Sequence, residues 1–258
     1  YVLVFDASEK RFDCSGEFVD LKLPAGKGTA KRAIIMLKRA AAIKKFVKEN
    51  DICTAYSFTH APNEALALSG AKCVKYISCR DYVRLIKSPL LYSFALRHGC
   101  NILFNALEMQ KKCEEMFPWN EDKLFTAYNI IDCEKALEDA KEELDEEYKE
   151  FYDTHRVIAF SSRFVEQKCQ WDMLKSFELL KKDIPDAGLI FLGCRGEYEN
   201  AVREMAKKSK YSNDIVFAGF QKNVFKFVSR ADVFAMTSYY EGFPNVIVEA
   251  LAVGTPAV

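Results

Sequence analysis

The stretch Tyr240-Glu241-Gly242-Phe243-Pro244-Asn245-Val246-Ile247-Val248-Glu249-Ala250 sets two carboxylates eight residues apart around a turn that opens a helix. Before it, Ala231-Asp232-Val233-Phe234-Ala235-Met236 has the short apolar run of a buried strand, and Ser238 to Pro244 reads as the loop leaving that strand. Pro244 and Asn245 suit a helix start, and Val246 to Val253 continues as an apolar helix. A strand, a tight loop and a helix N-terminus in succession offer backbone N–H groups to a phosphate. One carboxylate precedes this anion site and the other lies about one turn inside the helix. Carboxylates accept hydrogen bonds from hydroxyl pairs. The layout therefore suits a ligand with polyol groups on both sides of a phosphate, which is the shape of a nucleotide sugar. Either carboxylate alone would serve equally well to compensate the helix dipole.

A diphosphate also calls for cations, and the chain supplies them in a second place. His155-Arg156-Val157-Ile158-Ala159-Phe160 reads as a strand, followed by Ser161-Ser162-Arg163-Phe164-Val165-Glu166-Gln167-Lys168 and a helix from Trp171 to Lys182. Arg163 and Lys168 thus fall in a loop at the carboxyl end of a strand, where open α/β sheets bind ligands. Arginine offers a planar fork to phosphate oxygens and lysine a point charge. Between the two motifs lie the strand Gly188–Gly193, the helix Glu197–Lys208, the strand Asp214–Gly219 and the short helix Val224–Ser229. Val-, Ile- and Phe-rich strands alternating with helices predict a parallel sheet covered on both faces. The first half has the same rhythm. Strands are expected at Tyr1–Phe5, Phe18–Leu23, Asp51–Tyr56, Cys73–Ser78, Asn101–Asn105 and Lys123–Tyr128. Helices are expected over Thr29–Glu49, Asn63–Leu68, Leu90–Arg97 and Ala106–Met116. Two α/β domains result, 1–150 and 151–258, with a solvated acidic helix over Glu134–Glu150 at their junction.

Glu241 and Glu249 with the intervening Gly-Phe-Pro-Asn, followed by Gly254-Thr255-Pro256-Ala257-Val258, resemble the E-x7-E segment of family 4 retaining glycosyltransferases. The loop bearing Arg163 and Lys168 is similar to that family's Gly-Arg-…-Lys-Gly loop, with Ser162 and Cys169 where the family has glycines. Asn129-Ile130-Ile131-Asp132 resembles its Asn-Gly-x-Asp junction segment, with Ile130 in place of Gly. The resemblance implies the GT-B fold: two Rossmann-like parallel-sheet domains facing a cleft, both incomplete here. The expected first strand with its glycine-rich loop and the closing elements of the second domain are missing from the sequence. It further implies that Glu249 holds the ribose, that Glu241 contacts the donor sugar, and that Gly242, Phe243, Pro244, Asn245 and Val246 face the diphosphate. Arg163 and Lys168 would stabilise the departing nucleoside diphosphate, and Gly219, Phe220 and Gln221 would lie beside the base. Near the family's acceptor-side histidine, this chain offers His60 and Arg80.

The implied reaction is retaining transfer from a nucleotide sugar, a UDP-sugar by analogy with capsule and lipid-linked oligosaccharide enzymes, to a saccharide or lipid-linked acceptor. It needs neither cofactor nor metal. A nucleotide-sugar epimerase of the same fold and a non-catalytic nucleotide-sugar-binding subunit remain open as alternatives.

Composition sets the outer bounds. Lys plus Arg equals Asp plus Glu at 37 each, so no overall field draws the chain to nucleic acid. The balance hides an asymmetry: Lys27 to Lys48 holds eight cations and no acid. A helix of that composition is a candidate contact with an anionic membrane surface. Nine cysteines without a C-x-x-C pair point to reduced thiols and a cytoplasmic protein, and the basic helix makes it a candidate for peripheral attachment to the inner face of the cell membrane. Three scattered histidines give no metal-ligand pattern. Gly26-Lys27-Gly28-Thr29 lacks the spacing of a phosphate loop, and no signal peptide or run long enough to span a bilayer is present.

Overall fold

Residues 1–8 and 15–258 are described here from a computed structural model. The chain divides into two compact units, Tyr1–Tyr128 and Asn129–Val258.

In the first unit, β1 (Val2–Val4) pairs in parallel with β2 (Phe18–Asp20), and the long helix α1 (Thr29–Glu49) follows. Then come β3 (Thr54–Ser57), α2 (His60–Leu68), β4 (Val74–Cys79), α3 (Tyr82–Lys87) and α4 (Pro89–Arg97). The unit closes with β5 (Cys100–Phe104), α5 (Leu107–Met116) and β6 (Leu124–Thr126). Strands β3 to β6 form a parallel sheet in sequence order. Its core holds Ile77, Leu85, Leu96, Ile102, Phe104 and Met109, contributed by strand and helix alike. A buried polar link, Ser57 Oγ to Asn63 Oδ1 at 2.7 Å and Asn63 Nδ2 to Ser78 O at 2.8 Å, ties α2 to β3 and β4. An apolar cavity of about 560 Å³ lies between β1 and β3, lined by Leu3, Phe5, Phe46, Ala55 and Leu66 among others. It holds none of the candidate site residues.

The second unit begins with α6 (Cys133–Asp139) and α7 (Glu146–Thr154). Next are β7 (Arg156–Ser161), α8 (Gln170–Leu180), β8 (Ala187–Leu192), α9 (Glu199–Lys208) and β9 (Ile215–Gly219). The short helix α10 (Phe225–Val228), β10 (Val233–Phe234) and α11 (Asn245–Ala252) complete it. The sheet is parallel, in the order β10-β7-β8-β9. Successive strand residues feed opposite cores. Ile158, Phe160, Leu189 and Phe191 pack with α8 and α9, whereas Val157, Ala159, Ile190 and Leu192 pack with α7, α10 and α11. This is why these strands read as unbroken apolar runs.

The division between units falls after Tyr128, not at 150. The segment expected as one acidic helix is two, broken between Asp139 and Glu146, and its apolar side is docked. Leu144, Tyr148, Phe151 and Tyr152 pack on the second unit's core, and the Tyr152 hydroxyl donates to Phe227 O at 3.0 Å. Gly188 makes room for this: a Cβ there would meet the Phe151 ring at 2.6 Å. Strand β10 is shorter than the expected Ala231–Met236 because Asp232 turns its carboxylate to the Val157 N–H at 2.7 Å and caps the ladder. After α11 the chain returns beside β10 in a single parallel bridge, Phe234 to Ala257.

Candidate functional site

In the second sheet, the chain runs from β7 outward to β8 and β9, then crosses back to place β10 on the other side of β7. The loops leaving β7 and β10 therefore part at a topological switch point, where an open parallel sheet has its ligand crevice. The β7 loop carries Arg163 and Lys168, and the β10 loop carries Glu241 to Pro244. The two loops are laced together. Tyr239 N–H donates to Gln167 O at 2.9 Å, Gln167 Nε2 to Tyr240 O at 2.7 Å, and Thr237 Oγ1 to Lys168 O and Cys169 O at 3.1 and 3.0 Å. Across this seam Lys168 Nζ meets Glu241 Oε1 at 2.5 Å, both side chains largely sheltered from solvent. Two residues far apart in sequence and predicted to serve one ligand thus form an ion pair with one another.

The β7 loop is held from three directions. Gln170, 0% exposed, donates through Nε2 to Ser162 Oγ at 2.9 Å and Arg163 O at 2.6 Å. On the other side, Phe164 N–H donates to Arg195 O at 3.0 Å and Tyr198 N–H to Phe164 O at 3.2 Å. Gly193 and Gly196 permit this approach, since a Cβ at either would fall 2.3 Å from Ser162 O or 1.9 Å from Phe164 O. Cys169 turns the chain into α8 with φ +50° and ψ 44°, a left-handed conformation that glycine adopts without cost and cysteine does not. Its buried thiol is pushed up from its ordinary pKa by desolvation. Arg163 is exposed and makes no ion pair among the described residues.

Helix α11 starts at Asn245 without a side-chain cap. Part of its first turn closes on itself, with Ile247 N–H donating to Pro244 O at 3.0 Å, and Asn129 Nδ2 reaches Asn245 Oδ1 at 2.6 Å. Asn129 thus belongs to the surroundings of this helix start. Gly242, Phe243 and Val246 lie half-buried around the same turn. Glu249, one turn in, is half-buried and has no hydrogen-bond partner among the described residues; desolvation raises its carboxyl above the usual range. At the end of β9, Gly219 adopts φ +70°, Phe220 is 75% exposed, and Gln221 Nε2 donates to Ala218 O at 2.6 Å.

In the first unit, His60 and Arg80 follow the carboxyl ends of the paired strands β3 and β4. His60 opens α2 and its Nε2 lies 3.2 Å from Glu64 on the next turn. Sequence reasoning missed Gln167, Gln170 and Thr237. Their roles depend on loops brought together from distant parts of the chain, and no spacing announces them.

Residues 141–258 match the family model for glycosyl transferases group 1. The fold is GT-B. HepE of Anabaena, solved in complex with UDP, superposes with TM-score 0.69 at 18% identity, over 84% of this chain and 62% of that one. An uncharacterized glycosyltransferase of Methanocaldococcus jannaschii is 30% identical over 169 residues, 66% of this chain and 41% of its own length. An N-acetylgalactosaminyltransferase of Campylobacter jejuni, named for an N-acetylgalactosamine-N,N'-diacetylbacillosaminyl-diphospho-undecaprenol substrate, is 27% identical over 153 residues, 55% of this chain and 33% of its own. The chain thus spans less than half the length of these two curated relatives. Residues 141–258 are thus similar to group 1 glycosyl transferases, on a chain whose fold is that of the GT-B structures.

Proposed function

We propose that this chain carries the donor side of a family 4 retaining glycosyltransferase whose E-x7-E pair is Glu241 and Glu249. It would move a sugar from a nucleotide sugar, a UDP-sugar, to a hydroxyl of a saccharide or lipid-linked acceptor in cell-surface polysaccharide or lipid-linked oligosaccharide synthesis. The observation that carries the reading is the switch-point crevice, where Lys168 of the β7 loop pairs with the Glu241 carboxylate four residues before the start of α11. Relatives named for polymer-linked or lipid-linked sugars, and a fold relative solved with UDP, support the donor and acceptor classes.

In the reaction, the bond from the sugar's anomeric carbon to the β-phosphate oxygen breaks, and a bond to the acceptor oxygen forms on the same face. The leaving phosphate takes the acceptor's proton, so no protein nucleophile is needed. Arg163, Lys168 and the N-terminus of α11 stabilise charge growing on the diphosphate. Donor binding turns Lys168 from Glu241 to phosphate and leaves Glu241 to accept sugar hydroxyls. Glu249, without a hydrogen-bond partner among the described residues, accepts from the ribose. His60 and Arg80 are assigned to the acceptor side.

The full-length Glu241→Ala enzyme is expected to lose roughly two to three orders of magnitude in turnover. Near-normal turnover in a radiolabelled-sugar transfer assay would sink the assignment. A thermal-shift comparison of UDP, GDP and their sugars tests the base: stabilisation by GDP alone would overturn the UDP assignment. Turnover is expected to be unchanged by EDTA, because the two cations serve in place of a metal.

A further inference from the structure

Helix α1 presents a second chemical surface, unrelated to the crevice. Its inner face is committed to the first unit: Ala40 and Val47 are buried, and the Arg39 guanidinium donates to Leu23 O at 3.0 and 2.7 Å while lying 4.0 Å over the Phe5 ring. The outer face is of one kind along its whole length. At helical spacing, Ile34, Lys38, Ala41, Lys45 and Lys48 form one row, and Leu37, Ala41, Lys44 and Lys48 the row beside it. Lys31, Lys38, Lys44, Lys45 and Lys48 are exposed. Between them Ile34 and Leu37 stand out in solvent at 54% and 63% exposure. No acid occurs from Lys27 to Lys48, and the face ends at Glu49, 3.7 Å from Lys45.

We infer that this face of α1 docks on the surface of an anionic phospholipid bilayer. Charge complementarity and the placement of the aliphatics carry the inference. Lysines flanking two exposed aliphatic side chains match an interfacial helix, which lays its apolar residues at the level of the acyl-chain boundary and leaves ammonium groups among the headgroup phosphates. At 21 residues the helix is about 31 Å long, enough to engage several headgroups at once. It lies on the membrane and does not cross it, since among the described residues no helix is long and apolar enough to span. A nucleic acid would use the lysines but leave Ile34 and Leu37 in water. The inference stands apart from the transfer reading: a chain that binds vesicles yet transfers no sugar still satisfies it.

The test is co-sedimentation of the whole chain with large vesicles of phosphatidylcholine alone and of equimolar phosphatidylcholine and phosphatidylglycerol. Binding is expected to the mixed vesicles and not to the neutral ones. It should weaken as salt rises from about 0.1 to about 1 M, where the screening length falls from about 10 to about 3 Å. Replacing Lys38, Lys45 and Lys48 by Gln should cut the partition coefficient about a hundredfold, at about fivefold per lysine. The Ile34→Ser, Leu37→Ser pair leaves every charge in place, sits on an exposed face where circular dichroism will verify folding, and should also weaken binding. Failure to sediment with the mixed vesicles overturns the proposal. So does an Ile34→Ser, Leu37→Ser chain that binds as the parent does, and a DNA duplex bound as tightly as the vesicles and equally by that variant would assign the face to nucleic acid instead.

Discussion

Glu249 is the site carboxylate that its surroundings penalise for carrying charge. Its carboxyl is half-buried, raised by desolvation, and without a hydrogen-bond partner among the described residues. Because the folded protein holds this proton more tightly than the unfolded chain does, the stability it contributes is full below the unfolded value of about 4.3 and is lost as pH rises through the raised folded value. At neutral pH, Glu249→Gln is therefore expected to make the unliganded protein more stable, by about 1 kcal/mol, while weakening the stabilisation that UDP confers. Melting temperatures with and without UDP measure both; a variant less stable than its parent at neutral pH would count against the burial argument. The sequence marked Glu241 and Glu249 from their spacing around a helix start. It gave no sign that one would already be paired with Lys168 and the other left alone, because pairing is decided by loops 73 residues apart.

Among the elements, the β7 loop depends on its neighbours more than on its own residues. Gly196→Ala would set a methyl 1.9 Å from Phe164 O at a backbone with φ +140°. Such a change is expected to cost about 2 kcal/mol or more and to weaken nucleotide binding, through displacement of the adjacent Arg163. Equilibrium denaturation and UDP titration read the two effects. At the opposite end of the sheet, the Lys181 side chain is 4% exposed and fully occupied, with Asp214 Oδ2 at 2.7 Å, Pro185 O at 2.5 Å and Ala187 O at 3.0 Å. Burial pushes Asp214 up, but hydrogen bonds from Lys181 and His155 outweigh it and hold the carboxyl below its ordinary range. Lys181→Ala would strand these acceptors and is expected to destabilise by about 3 kcal/mol or more in urea unfolding. The part of the parent's advantage that comes from Asp214 should be full above the unfolded value of about 4 and be lost as pH falls through the lower folded value. The bonds to Pro185 O and Ala187 O persist. Strand and helix order was legible because strands such as β7 and β8 are buried on both faces and flanked by helices with polar outer sides. The docked helix α7 was misread as solvated: its acids dominate the composition. Yet Leu144, Tyr148, Phe151 and Tyr152 recur at helical spacing, and that period was the signal.

For the molecule as a whole, this docking fixes where the second unit begins. A chain starting at Asn129 keeps α6, α7 and the anchors Leu144, Phe151 and Tyr152. It is expected to fold and to be stabilised by UDP, by about 2.7 kcal/mol at a hundredfold excess over Kd. A chain starting at His155 loses those side chains from the core against β7 and β8 and is expected to be unfolded by circular dichroism. Equal folding of the two would show that the acidic segment is dispensable.

The Lys168–Glu241 pair has a consequence for what the crevice ignores. A cell is full of small free phosphates, and a naked lysine in a sheltered groove would collect them. With its charge already neutralised by Glu241, Lys168 is kept from any anion that cannot also give the carboxylate something to hold. Only a ligand bringing phosphate and hydroxyls together can satisfy both partners at once. On the proposed reading the acid would act as a gatekeeper against orthophosphate and pyrophosphate, and its neutral replacement Glu241→Gln should bind them, by calorimetric titration, where the parent does not.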